Sequence, residues 1–322
     1  MTSSVGKRVM ERLKGGLKAL SSLEAHASSA KPRRRRQVWS IGIYVGESPL
    51  NLVSPREAVN PVLTREEVSD APAVFVADPF MLRVAHAWYM FFEVMDRRSR
   101  KGVIGLATSE NGMKWKYRQI VLSEPFHLSY PYVFEWMNDH YMVPETGDAG
   151  CIRLYKAAEF PRQWTLVGTL LNGDRFRDPS IFRYDGRWWL FVETSSGMDD
   201  RHDTLRLYHA NDLTGPWLEH RKSPVVKGDP HIARPAGRVL VLNGRVIRYA
   251  QDCYPTYGTG VRAFEITDLT PARYHEQGVL RRPVLSASGA GWNAGGMHHV
   301  DPHPIDGEGW MACVDGWAYV EE

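Results

Sequence analysis

Cysteine is scarce in this 322-residue chain, with three residues at positions 151, 253 and 313. An odd number at wide spacing excludes the disulfide framework of a small secreted domain and any paired-cysteine metal site. It points to reduced thiols and a cytoplasmic setting. Long apolar runs are lacking too, and none approaches the ~20 residues that a membrane-spanning helix needs. No Gly-x-Ser-x-Gly elbow and no setting for a nucleophilic cysteine is present. The stretch "SASGAGWNAGGMHH" is rich in glycine but lacks the strand and helix of a phosphate-binding loop, and it reads as a mobile rim loop. The body of the chain also lacks a helical pattern long enough to dominate the fold.

What the chain has in quantity is aromatic side chains, 11 Trp, 14 Tyr and 11 Phe, within an apolar share of 43%. That is the composition of a globular protein with one large or two ordinary domains. The net charge of +3 is unevenly spread. Residues 1–36 hold ten basic and two acidic side chains, a net of +8, so the remainder carries −5. Val9, Leu13, Leu17, Leu20 and Leu23 recur at helical spacing, so residues 5–24 can form a basic amphipathic helix. Residues 1–37 are therefore expected to be a basic extension, partly disordered or amphipathic. It would make weak contact with an anionic membrane surface or an acidic partner, which fits a cytoplasmic protein with a membrane-peripheral option. Nothing in residues 38–322 reads as a nucleic-acid module.

Those 285 residues repeat. "ADPFMLRVAHAWYMFFEV" begins at Ala77, "SYPYVFEWMNDHYMVPET" at Ser129 and "RDPSIFRYDGRWWLFVET" at Arg177; "ARPAGRVLVLNGRVIRYAQD" begins at Ala233 and "VDPHPIDGEGWMACVDG" at Val300. Each has a leading Pro, a short apolar run, a polar turn and a second apolar run. The prolines fall at 79, 131, 179, 235 and 302, intervals of 52, 48, 56 and 67. Each interval holds two further strand-like runs and closes on Trp115, Trp164, Trp217 or Tyr274. In the first, the Asn-Gly of "SENGMKW" favours a tight primed hairpin turn. Repeated four-stranded units of this length predict a five-bladed β-propeller. The last unit is short, and "VWSIGIYVGESPLNL" belongs to no other. Residues 38–53 are therefore expected to close the ring as the outer strands of the C-terminal blade, which removes open sheet edges.

In an antiparallel hairpin the first residue of one strand and the last of the next share one end of the sheet. Asp78 and Glu93, Tyr130 and Glu145, and Asp178 and Glu193 are each 15 apart. Arg234 leads in blade four, with Gln251 or Asp252 at the exit; Asp301 and Asp315 hold these places in blade five. The leading residues Asp78, Tyr130, Asp178, Arg234 and Asp301 are expected to ring one mouth of the central channel, with the exit acids behind them. An Asp-Pro pair can be simply a turn, and Glu93 is the exit acid expected to be structural. Crowded carboxylates separate in pKa, and chemistry at a glycosidic bond uses such a separated pair. Arg234 can clamp a carboxylate or phosphate, or neutralise the acid ring. Tyr254 and Tyr257 in "QDCYPTYGTGVR" suit a sugar-stacking rim. His298, His299 and His303 are expected as hydrogen-bond partners or sugar contacts, with no metal and no cofactor.

These residues resemble the five-bladed propeller glycosidases of glycoside hydrolase family 43 and the related families 32 and 68, in "ADPFML" and "FRDPSIF". The run from "WSIGIYVGESP" to "HHVDPHPIDG" is similar to the N-terminal domain of plant glucosamine inositolphosphorylceramide transferases, over nearly the whole chain after residue 38. The resemblance implies Asp78 as base or nucleophile and Asp178 as the carboxylate that orients the sugar. In blade four, where the glycosidases carry a general-acid Glu, this chain reads "ARPAGRV" and Arg234 stands near the position. The proton donor is then Glu145, Glu193 or Asp301. In the plant transferases the recognised glycosyltransferase domain lies C-terminal to the propeller, so the resemblance alone brings no transferase activity to these residues. The expected function is a carbohydrate-active enzyme acting on a glycosidic bond, by hydrolysis or transfer with inversion. It would serve the assembly or modification of a glycan, polysaccharide or glycolipid. The substrate-binding set is Tyr130, Arg177, Arg234, Asp252, Tyr257, His298, His299 and Asp301; the catalytic set is Asp78, Asp178, Glu193 and Glu145. The alternative is a non-catalytic glycan-binding or scaffolding propeller.

Overall fold

The computed structural model describes residues 35–194, 201–307 and 309–321. The basic stretch 1–34, and with it the helix expected over 5–24, lies outside the described residues. One compact unit runs from Gln37 to Tyr319, and no α-helix occurs among its described residues.

Five antiparallel sheets account for the repeats. Blade one runs outward through Ala73–Val84, Ala87–Asp96, Lys101–Ser109 and Lys116–Leu122. Blade two follows with Ser129–Trp136, Asp139–Glu145, Cys151–Glu159 and Gln163–Asn172. Blade three is Phe176–Tyr184, Arg187–Thr194 and Thr204–Ala210, the last flanked by two short strands, Leu218–Glu219 and Val226–Lys227. Blade four is Leu240–Leu242, Arg245–Asp252, Gly260–Thr270 and Arg273–Gly278, with Leu285–Ser286 beside the third strand. Blade five has Val300–Pro304 innermost, then Trp310–Glu321, with Arg35–Ser48 and Asn51–Val53 outside them. The ring therefore closes as its short last repeat requires, with strands from the two ends of the unit sharing one sheet. Inner strands touch those of the neighbouring blades around the axis.

Blades face one another, so strands are apolar on both sides. Phe176–Tyr184 is buried at seven consecutive positions, a pattern expected where both faces of a sheet are covered. The core is divided accordingly. One apolar cluster joins blades one, two and three, another joins blades five and one, a third joins four and five, and a fourth joins three and four. The closing tryptophans act as repeated staples. Trp115, Trp164 and Trp217 each donate the indole N–H to a carbonyl three or four residues back, at Gly112 (2.8 Å), Pro161 (3.1 Å) and Leu213 (3.2 Å). A buried indole finds its partner within its own turn. Tyr274 instead bonds Glu276 from within the fourth strand of blade four.

Two expectations are corrected. The Asn111-Gly112 hairpin is not a tight primed turn. Its strands end at Ser109 and resume at Lys116, and of the pair only Gly112 has a positive φ. The Asn111 side chain accepts from the amides of Met113 and Lys114, which opens the turn into a wider loop. Nor is the glycine-rich stretch before His298 a free rim. Gly295 and Gly296 pair with Trp317 through backbone bonds of 2.9 and 3.0 Å. A Cβ on Gly296 would lie 1.9 Å from the Gly258 carbonyl oxygen. The glycines are there for close approach, and the stretch carries His298 and His299 to fixed positions.

Candidate active site

The side chains meet at one mouth because of a backbone device that three blades share. In blade one Ala77 pairs with Glu93 and Phe80 with Phe91, so Asp78 and Pro79 face Phe92 alone. The same two-against-one bulge holds Tyr130-Pro131 and Asp178-Pro179. Asp78, Tyr130 and Asp178 all have left-handed backbones, with φ of 52, 46 and 47 degrees. A bulge bends its strand and re-aims one side chain. Here it swings the leading residue toward the axis.

Asp178 is held by several bonds. Arg234 donates to it through Nε (2.6 Å to Oδ2) and Nη2 (3.3 Å to Oδ1), and Gln251 Nε2 adds a 2.7 Å bond. The Asp178 amide donates to Glu145 Oε2 at 3.1 Å. Arg234 Nη2 lies 3.8 Å from Glu145 and Nη1 3.9 Å from Glu193. It also donates to His202 Nδ1 at 3.0 Å, and its guanidinium sits 5.1 Å from the centre of the Tyr257 ring. Arg177 Nη1 is 3.3 Å from Glu193. One guanidinium thus serves three carboxylates from blades two and three.

Asp78 occupies the opposite side. Its amide donates to Asp315 Oδ2 (2.9 Å), and its Oδ2 accepts from the Tyr130 amide (3.3 Å). Oδ1 faces His298 Nε2 at 3.8 Å and His299 Nδ1 at 3.9 Å. His298 donates Nδ1–H to Asp315 at 2.8 Å, and Trp39 stacks on its ring at 4.0 Å. Tyr257 meets the same ring edge-on.

These surroundings push the carboxyl groups apart. Burial raises Asp78 to about 7, with Asp178 and Asp315 adding repulsion and His298 and Arg234 opposing it. Burial also lifts Glu145 well above the ordinary range, reinforced by the charge of Asp178. Burial would raise Asp178 too, but Arg234 overrules it and holds that carboxyl below its usual value. Glu193 is likewise lowered against its burial, by His202, Arg234 and Arg177. Two carboxyls stay ionised while two carry protons at higher pH, the separation that acid and base roles require. Glu145 keeps 13% of its side chain exposed whereas Glu193 is fully covered.

Other expected site residues lie elsewhere. Asp301 is not at the mouth. Blade five has no bulge, and Asp301 pairs in register with Cys313. Its carboxylate accepts from the Met81 amide (2.7 Å), Arg238 Nε (2.6 Å) and His303 Nε2 (2.9 Å), and despite burial Arg238 and His303 hold it far below the ordinary range. It is therefore no proton donor. Tyr130 has its phenol buried: the hydroxyl meets Ser180 Oγ (2.8 Å) and donates to the Gly237 carbonyl (3.0 Å) while accepting from the Gly237 amide (2.5 Å). Gly237 has φ 126, and a Cβ there would lie 1.8 Å from the Val300 carbonyl oxygen. The shaft below the mouth is thus filled. Asp252 pairs with Arg262 (2.8 Å) and His231 (2.8 Å), away from Arg234; Gln251 takes the inward place, by strand alternation. Glu93, buried beside His127 (3.3 Å), is pushed well up by burial and stands as a neutral acid. Tyr254 is exposed. Trp39, His202 and Arg238 gave no sequence signal, since each reaches its place from a distant segment.

Donor atoms of Asp78, His298 and Asp315 lie within 4.8 Å of one another, a spacing that a cation can use. Within the trio His298 Nδ1 and Asp315 bond each other at 2.8 Å, and Asp78 Oδ1 stands 3.8 Å from His298 Nε2.

This architecture recurs in solved structures at identities that establish the fold alone. A putative glycoside hydrolase from Parabacteroides distasonis superposes with a TM-score of 0.58 at 10% identity, over 80% of this chain and 95% of that one. The catalytic domain of a Coprinopsis cinerea GH62 α-L-arabinofuranosidase gives 0.56 at 11%, over 74% and 90%. A mutant α-L-arabinanase of Cellvibrio cellulosa gives 0.54 at 17%, over 77% and 92%. Sequence likeness is stronger in plants. Glucosamine inositolphosphorylceramide transferase 1 of Oryza sativa subsp. japonica is 36% identical over 297 residues, 86% of this chain and 40% of the relative. That of Arabidopsis thaliana is 31% identical over 296 residues, 86% and 39%. The chain therefore spans about two fifths of the length of these relatives. The family profile described as "Glucosamine inositolphosphorylceramide transferase 1, N-terminal" matches residues 33–317, and the chain belongs to that family.

Proposed function

We propose that the chain is a carbohydrate-active enzyme acting on a glycosidic bond of a glycan or glycolipid, with Asp78 as base and Glu145 as acid. Asp178, held by Arg234 and Gln251, orients the sugar, and Tyr257 forms the rim. The observation that carries this reading is the opposed protonation within one mouth: Asp178 and Glu193 are lowered while Asp78 and Glu145 are raised. A base near 7 is matched to neutral pH. Of the three acids expected as donors, Glu145 is favoured because Asp301 is ionised away from the mouth and Glu193 is ionised and covered. Acid and base come from different blades, which supports inversion; a carboxyl separation of about 6.5–9.5 Å accompanies that outcome and about 5–5.5 Å accompanies retention. The relatives' name points to a sphingolipid headgroup as the substrate class, and the basic residues 1–37 suit an anionic membrane surface on the cytoplasmic side.

The test is a screen of aryl glycosides, nucleotide sugars and glycosylated lipids against the purified protein, Asp78→Asn and Asp178→Asn. Loss of turnover in both variants with folding intact supports the assignment. Unchanged activity in both overturns it. A second reading, a glycan-binding propeller without turnover, is favoured by Arg234 standing where the resembling glycosidases have their acid. Sugar binding by calorimetry without product in any wild-type reaction would select it.

A further inference from the structure

His298 was expected to touch sugar, but the geometry gives it another task. The side chain is nearly covered, with Trp39 stacked on one face and Tyr257 against it edge-on. Its Nδ1–H is committed to Asp315 at 2.8 Å, and the same carboxylate accepts from the backbone amides of His298 (3.3 Å) and Asp78 (2.9 Å). Asp315 therefore fixes both the ring and the left-handed backbone of Asp78. With Nδ1 engaged, Nε2 faces Asp78 Oδ1 at 3.8 Å. A lone pair facing a carboxylate is repulsive, so the pair is stable when it holds one proton, as imidazolium against carboxylate or imidazole against acid.

We propose that His298, tethered by Asp315 and covered by Trp39, is a positioning residue that sets the protonation of Asp78. This rests on Asp78 being the base. It assigns His298 no contact with the reacting sugar. The groups facing the pair are Glu93 from blade one, the Tyr130 amide from blade two, Asp178 from blade three, Arg234 and the Tyr257 ring from blade four, and His299 and Asp315 from blade five. Among them the acids favour a protonated Asp78, and Arg234 and His298 favour its carboxylate. His299 does not share the task, because burial lowers it to about 4 and leaves it neutral. The proximity of Asp315 lifts His298 above its usual value against its burial.

The experiment replaces His298 by Gln, which keeps a polar side chain and removes the charge. An opposite charge within about 4–6 Å moves a carboxyl by 1–3 pH units, so the Asp78 midpoint should rise by about 1 unit. Two readouts are followed: the ¹³C resonance of the Asp78 carboxyl, and the acid limb of the kcat/KM profile on whichever glycan is turned over. Because Asp315 also repels Asp78 directly, Asp315→Asn is read on His298, whose ¹⁵N midpoint should fall when the tether is lost. An Asp78 midpoint that stays in place in His298→Gln overturns the proposal even if the protein is active. A shifted midpoint with no turnover on any substrate leaves the proposal standing and rejects only the catalytic reading. If the variants do not fold, the ¹⁵N titration of His298 in the wild-type chain decides. A proton retained on Nδ1, with Nε2 titrating above 6.5, supports the tether, and a midpoint below 6.5 contradicts it.

Discussion

Blades one to three and blades four and five begin with similar sequence marks and deliver different results. In the first three, the leading residue sits in a bulge with positive φ and turns toward the axis, where Asp78 and Asp178 meet the mouth and the Tyr130 phenol runs down the shaft. In the last two the strands start in register. Arg234 reaches the mouth by its length and Asp301 drops into the shaft, against Arg238. An Asp-Pro pair is thus not by itself a site marker; the extra residue in the ladder is what aims the carboxylate. The comparison also separates two kinds of buried acid. Asp178 and Asp301 each lie against an arginine, while Asp78 lies against a histidine and takes up a proton near neutrality.

The sharpest way to break this comparison is to remove one acid of each kind. Asp78→Asn should reduce turnover by about 10²–10⁴-fold, the usual contribution of a general base, with the fold intact by circular dichroism. Asp301→Asn should leave Arg238 buried without its partner and cost about 3–5 kcal/mol in urea unfolding. Similar stability losses from the two would erase the distinction.

The fold was legible because propeller blades repeat: prolines, paired acids and closing tryptophans recur in step, and the orphan strand at residues 38–53 predicts closure. The site was legible in blades one to three, where spacing of 15 brought Asp78, Glu145, Asp178 and Glu193 to one mouth. It failed at Asp301 because a bulge leaves no mark that distinguishes "ADPF" from "VDPH". It failed at Asp252 because a one-residue choice in a strand reverses the face, and Gln251 was the inward one. Trp39 was invisible because nothing local ties residue 39 to residue 298.

A smaller effect is expected at the leading residue of blade two. Tyr130→Phe removes the hydroxyl shared by Ser180 and Gly237 and leaves their polar groups unsatisfied, which should cost about 1–3 kcal/mol by thermal or urea unfolding. Turnover should persist, since the phenol points down the shaft. A large loss of turnover at unchanged stability would return Tyr130 to the substrate.

The pH dependence of stability has opposite signs at the two kinds of acid. Asp78 is raised to about 7, so its folded form favours the protonated state. Its contribution is present at low pH and is lost as pH rises from about 4 through 7. Asp178, Asp301 and Asp315 are lowered, so theirs is present above about 4 and is lost as pH falls below it. Asp78→Asn should therefore gain stability relative to wild type as pH rises from 4 to 7, followed by denaturation at fixed pH steps. A relative loss over that interval would reverse the assignment. The smallest effect belongs outside the mouth. Asp252→Asn weakens a pairing with the partly exposed Arg262 and His231 and should change stability by about 0–1 kcal/mol, with kcat/KM unchanged.

The central claim is that acids from separate blades share one electrostatic environment at the mouth. It is tested most directly by ¹³C titration of the Asp78 and Asp178 carboxyls in wild-type protein and in Arg234→Met. The account predicts Asp78 titrating near 7 and Asp178 below the ordinary carboxyl range, with both midpoints rising when the guanidinium is removed. Two ordinary midpoints, each unmoved by the loss of Arg234, would contradict it.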